Sequence, residues 1–192
     1  MILDIFKTSI YKTSVNNKNY YDFFMDTLNN SLSKKEGRTM SNVGGFQTNS
    51  FTENNFKNNN IFNDLFVGPI LNFLSFFKTK KEFKIDNFNF WINKNYPNTY
   101  NLAHTHGYSK ISGIYYLEVP PHSGALVFQN GDNLKLNIED TFDDANFYSR
   151  YTIVPKKFDL LLFFSETIHY VEPNSSNEDR ISVAFNIDIT NK

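Results

Sequence analysis

All four histidines of the chain, His104, His106, His122 and His169, fall in its second half. His104 and His106 stand two apart, so an extended backbone carries both imidazoles on one face, where they can grip a single metal ion. That spacing alone is a weak signal, because a pair of loop or strand-end histidines produces it equally well. His169 follows the apolar run Asp159–Phe164 and sits in a second run, Ile168–Val171. A single histidine among β-branched and aromatic residues is ordinarily a packed core residue, and it gains weight only from what comes next. Further on, Arg180-Ile181-Ser182 opens the last strand-like stretch, which puts a guanidinium and a hydroxyl on one strand face. Such a pair makes a carboxylate pocket, the arginine through paired N–H donors and the serine through one more hydrogen bond. The plain alternative is a surface ion pair of Arg180 with Glu178 or Asp179.

Composition bounds the chemistry further. The chain has 192 residues, 40% of them hydrophobic, and no cysteine, which excludes thiol nucleophiles, disulfide scaffolds, zinc ribbons and iron–sulfur clusters. Any metal must use His, Asp, Glu or carbonyl oxygen. With 19 basic and 20 acidic side chains there is no basic footprint, which speaks against nucleic acid as a partner. Phe, Tyr, Asn, Ile and Lys are heavily used, as AT-rich coding produces, while arginine occurs only at Arg38, Arg150 and Arg180. An arginine kept where lysine is the default is kept for guanidinium geometry, which directs attention to Arg180. The start of the chain lacks the basic and long apolar regions of a leader, and the apolar-rich stretch Ile61–Phe77 is broken by Asn63, Asp64, Gly68 and Pro69. The expectation is therefore a cytoplasmic protein without a membrane partner.

These residues need elements to position them. Phe23, Phe24, Leu28 and Leu32 recur at helical spacing and predict a helix from Tyr20 to about Lys35, ended near Gly37. A second helical stretch is predicted from Asn60 to Lys80, broken or kinked at Pro69. Between them Ser41–Gln47 reads as a loop whose two glycines permit positive φ or close backbone approach. Beyond residue 85 the apolar period changes to two, predicting strands around Phe88–Ile92, Ser112–Val119, Ala125–Gln129, Tyr151–Val154, Asp159–Phe164, Ile168–Glu172 and Arg180–Ile189. The pattern is that of one domain, residues 1–192, mainly β, in which 1–85 form a strand and helical support and 86–190 a sandwich or jelly roll.

The order of motifs carries a resemblance. His104-Thr105-His106, Ser112-Gly113-Ile114-Tyr115-Tyr116-Leu117, Ser123-Gly124-Ala125-Leu126-Val127-Phe128, the run Pro155–Phe164, His169 and Arg180-Ile181-Ser182 follow one another. This succession resembles the Fe(II)- and 2-oxoglutarate-dependent oxygenases, in general their prolyl-hydroxylase-like branch and more narrowly a set of uncharacterised oxygenases of bacteria and phages. It covers residues 86 to 190, with Ser41–Gln47 and Trp91-Ile92-Asn93 similar to the narrower set. The resemblance implies a cupin-like double-stranded β-helix with Fe(II) in its mouth. It implies His104 and His169 as metal ligands, Arg180 and Ser182 as the seat of the 2-oxoglutarate carboxylate, and Tyr116 as a tyrosine reaching that carboxylate, with Tyr115 left to packing. The family's usual motif is HxD or HxE, and His106 stands where the acid belongs. The leading implication is ligation by His104, His106 and His169. Two others stay open: His106 leaves its position to water or halide, or an acid such as Asp159 or Glu166 supplies the third ligand.

The reaction so implied consumes O2 and 2-oxoglutarate, releases succinate and CO2, and hydroxylates a C–H bond, with Phe46, Trp91, Tyr108 and Phe128 as candidate walls. The substrate is not legible, and a peptide or protein is what the resemblance suggests. Substrate-facing loops are expected at Ser41–Ser50 and Gly131–Ser149, where Glu139-Asp140 and Asp143-Asp144 read as a solvated acidic run. His122, in a Pro-Pro-His-Ser-Gly turn, reads as a surface residue. Phe51, Phe56 and Phe62, read as exposed, offer a surface for a homodimer. Two rival functions share the fold: a three-histidine cupin-type dioxygenase working without 2-oxoglutarate, and a non-enzymatic jelly-roll binding or virion protein.

Overall fold

Asn17 starts the first helix by accepting a hydrogen bond from the Asn19 amide (2.9 Å) on its side chain. In the computed structural model, which describes residues 7–56, 60–131 and 148–192, this helix is α1 (Lys18–Lys34). It ends on Lys35 in the left-handed conformation (φ 57°), earlier than Gly37, whose place is instead a bridge to Thr48. The second helical stretch is two pieces: a π-helical turn, Phe62–Val67, runs into α2 (Gly68–Ser75). Pro69 falls in the first turn of α2, where a missing N–H costs little, so it marks the junction without breaking the rod.

The strands are β1 (Ile10–Ser14), β2 (Asn42–Val43), β3 (Phe46–Gln47), β4 (Phe51–Thr52), β5 (Phe83–Asn95), β6 (Tyr100–His104), β7 (Ile111–Glu118), β8 (Leu126–Gln129), β9 (Arg150–Ile153), β10 (Asp159–Phe164), β11 (His169–Val171) and β12 (Arg180–Asn191). They form two sheets. The larger runs β1-β10-β7-β12-β5-β3, with β4 also on β5, and the smaller runs β2-β6-β11-β8-β9. Facing sheets with strands alternating between them make the double-stranded β-helix. The stretch Ser41–Gln47, expected as a loop, is the corner that links them: β2 pairs with β6 in one sheet and β3 with β5 in the other. Gly44 turns that corner at φ 74°, and a side chain on Gly45 would press on the Lys94 carbonyl at 2.9 Å.

Period-two alternation assigns each strand two duties. From β5 and β12, Phe88, Phe90, Ile92, Val183, Phe185 and Ile187 face the helices and pack with Phe24, Phe56 and Phe66. Phe56, expected to be exposed, is 3% exposed because a 3₁₀ turn at Glu53–Phe56 tucks its ring 4.9 Å from that of Phe90. Phe51 and Phe62 are also half-buried against this core, so the aromatic surface expected to support a homodimer is spent on packing. The opposite face of the same two strands carries Trp91, Asn93, Asn95, Arg180 and Ser182 toward the smaller sheet. Among the described residues no helix is long and apolar enough to cross a membrane.

At Gly113 in β7 an added Cβ would collide with the Phe185 ring and sit 2.8 Å from the Leu161 carbonyl, whereas at Gly131 it would meet nothing within 4 Å. Gly113→Ala is therefore expected to cost about 1–3 kcal/mol of stability, by overpacking between strands. Gly131→Ala should stay within about 0.5 kcal/mol of the parent in the same denaturant titration.

Candidate active site

His104 closes β6, His169 opens β11, and the two are direct partners in the antiparallel ladder, so strand register alone brings their imidazoles together. His106 lies just past the end of β6, where its amide N–H donates to the Ser165 carbonyl (2.8 Å) and turns its ring back toward the pair. One ligand nitrogen from each of the three lies within 4.8 Å of the others. Nδ1 of His104 is 2.7 Å from the Leu102 carbonyl, and Nδ1 of His169 is 2.9 Å from the Thr167 carbonyl. A carbonyl only accepts, so each Nδ1 carries the proton and each Nε2 keeps its lone pair free for a metal.

The environment keeps these rings neutral. Burial, then the neighbouring imidazoles of His169 and His104, pushes His106 down to about 3. Burial and His104 bring His169 down to about 4 against the opposing pull of the Thr167 carbonyl. His104 is lowered by burial, partly countered by Leu102. Neither acid considered as an alternative ligand joins them. Asp159 pairs with the Lys12 ammonium (2.7 Å) and accepts the Lys156 amide (2.8 Å), and Glu166 is exposed outside the cluster. Among the described residues the cluster is three imidazoles with no carboxylate.

Arg180 stands opposite Asn95 in the β5–β12 ladder and is 2% exposed. It does not pair with Glu178 or Asp179; Asp179 pairs with Lys94 at 2.9 Å. Its Nη2 donates to Asn95 Oδ1 (2.8 Å), its Nη1 to the Ser123 and Gly124 carbonyls (3.3 Å each), and its buried Nε has no partner. A buried cation held by neutral oxygens alone has no counter-charge from the side chains it touches. Ser182, next on the same strand face, sits across the ladder from Tyr116. Burial, against the pull of the Arg180 charge, pushes the Tyr116 phenol up to about 12, so it stays protonated and can donate. The adjacent Tyr115 points the other way and donates to the Val15 carbonyl (2.7 Å).

The three histidines, Arg180, Ser182 and Tyr116 all line one cavity of about 850 Å³ between the sheets. Of the expected walls, Trp91 lines it, and Phe128 packs behind His169 against Phe163. Phe46 packs on the helical side and Tyr108 is fully exposed, so neither is a wall. Ser41, Gln47 and Ser50 reach the cavity from the first expected substrate loop, while most of the second, residues 132–147 with its acidic run, lies outside the described residues. His122 is exposed in its turn at φ 63°. Arg38, Met40, Asn89, Asn186 and Phe163 line the cavity without having been singled out. For Arg38 the signal was present, since it shares the scarcity of arginine that marks Arg180.

A family model described as "Putative 2OG-Fe(II) oxygenase" matches residues 89–186. A search of curated proteins by sequence finds no match. Among solved structures, a Pseudomonas putida prolyl-4-hydroxylase is similar at TM-score 0.64 and 12% identity, covering 94% of this chain and 93% of its own. A Trichoplax adhaerens prolyl hydroxylase, solved with a peptide fragment of the hypoxia inducible factor oxygen degradation domain, is similar at 0.62 and 13%, covering 94% and 83%. HygX from Streptomyces hygroscopicus, solved with nickel, 2-oxoglutarate and hygromycin B, is similar at 0.59 and 10%, covering 94% and 83%. At these identities the likeness is one of fold, and the fold is the double-stranded β-helix.

The depressed imidazoles have a consequence for the metal-free chain. His106 and His169 titrate near 3 and 4 when folded and near 6.5 when unfolded, so between those values the unfolded chain binds more protons. Their contribution to stability is complete above pH 6.5 and is lost as pH falls toward 4. Chemical denaturation of metal-free protein across that range should show stability falling with acid, and His106→Asn with His169→Asn should flatten that slope.

Proposed function

The chain belongs to the 2OG-Fe(II) oxygenases, oxidoreductases that use Fe(II), 2-oxoglutarate and O2, and from that premise we propose that it hydroxylates a C–H bond of a peptidyl substrate, releasing succinate and CO2. In this reading His104, His106 and His169 hold the metal through their Nε2 atoms. The donor set fits: three neutral nitrogens on one side of the ion leave its other positions for co-substrate and O2. Bound Fe(II) supplies the activation of O2 that no side chain provides.

The remaining work belongs to the chain. Arg180 anchors the distal carboxylate of 2-oxoglutarate through its guanidinium, with Ser182 and Tyr116 adding hydroxyl donors from neighbouring strands. This seat fixes the co-substrate's orientation relative to the imidazoles, and the apolar flank made by Ile114, Phe163 and Val171 keeps water from the chemistry. The observation that carries the reading is that Arg180, a buried cation whose hydrogen-bond partners are all neutral oxygens, lines the same cavity as the histidine cluster. A three-histidine dioxygenase working without 2-oxoglutarate would leave that buried cation without a purpose. Support for a peptidyl substrate is the fold shared with two prolyl hydroxylases and a rim where Met40 and Leu102 expose apolar surface.

The test is anaerobic titration with Fe(II) and then 2-oxoglutarate, following the weak visible band that forms when a keto acid chelates iron. One 2-oxoglutarate per chain should saturate it. Removing one side of a buried charged contact costs about 2 kcal/mol or more, so Arg180→Ala should raise the half-saturating concentration at least about 30-fold. Ser182→Ala, a smaller change, should raise it less, and His104→Ala should abolish iron binding. An undiminished band in folded Arg180→Ala would remove the co-substrate role assigned here.

A further inference from the structure

The cavity holds a second arginine that the metal and co-substrate assignment leaves unused. Arg38 follows the bridge between Gly37 and Thr48, and its amide donates to the Gln47 carbonyl (2.9 Å), so its backbone is fixed at the cavity rim. Its guanidinium carbon lies 5.5 Å from the centroid of the Trp91 ring, which lies 5.6 Å from the ring of His106. One aromatic ring therefore separates this cation from the metal ligands. The Nε of Arg38 is buried without a hydrogen-bond partner, and the side chain makes no ion pair among the described residues. A half-buried guanidinium with an unfilled donor is costly unless an anion completes it.

The charge of the cavity makes the same demand. Among the described residues lining it there is no Asp or Glu, whereas two arginines are present. The metal ligands are neutral imidazoles, so none of the described residues lining the cavity offsets the ion. Fe(II), two guanidiniums and the dianion 2-oxoglutarate together leave about two positive charges among the described groups of a cavity that opens to solvent past Met40 and Leu102. Arg180 is matched by the co-substrate, and Arg38 is not. A neutral primary substrate would leave that mismatch in place, while a carboxylate would lessen it by pairing with the guanidinium.

We propose that Arg38 is the anchor for a carboxylate on the primary substrate, so that this oxygenase acts on anionic substrates. The inference rests on the assignment of metal and co-substrate above. The carboxylate can belong to an acidic residue of a peptide or to a free acid, and both present the same group to the guanidinium. Trp91, the single tryptophan of the chain, lies against Arg38 and reports on it directly.

The experiment loads the full chain with Zn(II), which is redox-silent, and saturating 2-oxoglutarate, and follows Trp91 emission on titration with matched probes. The probes are benzoate against benzamide, and the peptide acetyl-Ala-Asp-Ala-amide against its Asn counterpart. The expected result is a saturable change for at least one acid, about tenfold or more tighter than for its amide. The tighter of the two acids identifies the source of the carboxylate. Arg38→Gln should erase the preference for acid over amide, and Arg38→Lys, which keeps the charge without the fork, should retain part of it. Acids binding no tighter than amides, or a preference surviving in Arg38→Gln, would overturn the inference. A parallel sample with Fe(II) separates the two levels: a chelate band without acid preference removes the role of Arg38 alone, and no band in the wild type removes the metal and co-substrate assignment.

Discussion

A cation buried to 2% exposure has to be surrounded by oxygen, and the end of the β-helix is arranged around that requirement at Arg180. Its acceptors come from separate parts of the chain: Asn95 from the end of β5, and the Ser123 and Gly124 carbonyls from the turn after β7. The turn can approach because Gly124 adopts φ 89° and has no Cβ to collide with the Glu172 carbonyl. Asn95 is held in turn, its Nδ2 donating to Asn101 and its carbonyl accepting from Asn174. Asn101 then donates to Ser41 beside the Gly44 corner, so one network of amides ties the arginine to both sheets. All the acceptors around the guanidinium are thus neutral.

That arrangement is possible because the larger sheet separates stability from chemistry by strand alternation. On the helical face, Phe24, Phe56, Phe66, Phe88, Phe90 and Phe185 form a continuous aromatic layer, with centroids as close as 4.7 Å for Phe66 and Phe185. The many phenylalanines that AT-rich coding supplies therefore do most of their work away from the site. The inner face of β5 and β12 is free to carry Asn93, Asn95, Arg180 and Ser182, polar groups that no core would tolerate unpaired. A one-residue slip in the β5–β12 register would exchange the faces, putting phenylalanine in the cavity and arginine under the helices. The length of that ladder, from Asn95–Arg180 to Phe83–Asn191, is what makes such a slip prohibitive.

Legibility in the sequence followed the same division. Where one face is apolar and the other polar, period two announced the strand, and β10 has the bounds Asp159–Phe164 that its pattern predicts. Where strands are two residues long, as at β2 and β3, there is no period to detect, and Ser41–Gln47 read as a loop although it spans both sheets. Phe56 lies in a polar stretch and looked exposed, because the 3₁₀ turn that folds it onto Phe90 has no hydrophobic repeat. Trp91 could be taken as a cavity wall, since it alternates with Phe90 and Ile92, but Phe46 and Tyr108 could not be placed without knowing which side the chain leaves the sheet. The clustering of His104, His106 and His169 was legible as an order of motifs, and the ladder pairing His169 with His104 is the physical reason a separation of 65 residues in sequence becomes a contact.

In the ligation proposed for this chain, His106 in place of a carboxylate changes more than one ligand. A carboxylate would neutralise part of the metal's charge from within the protein; three imidazoles would neutralise none of it, and the described residues lining the cavity include no acid to compensate. Metal retention then depends on features that strengthen neutral nitrogen donors. Burial keeps the rings unprotonated, and the Leu102 and Thr167 carbonyls draw on the Nδ1 protons of His104 and His169 and so raise the basicity of the opposite nitrogens. His106 has no such carbonyl partner for its ring among the described residues and lies beside the Trp91 ring, centroids 5.6 Å apart, instead. On that proposal the balancing negative charge comes with the ligands, so the binding of metal and of anions would reinforce one another, each lowering the electrostatic cost of the other.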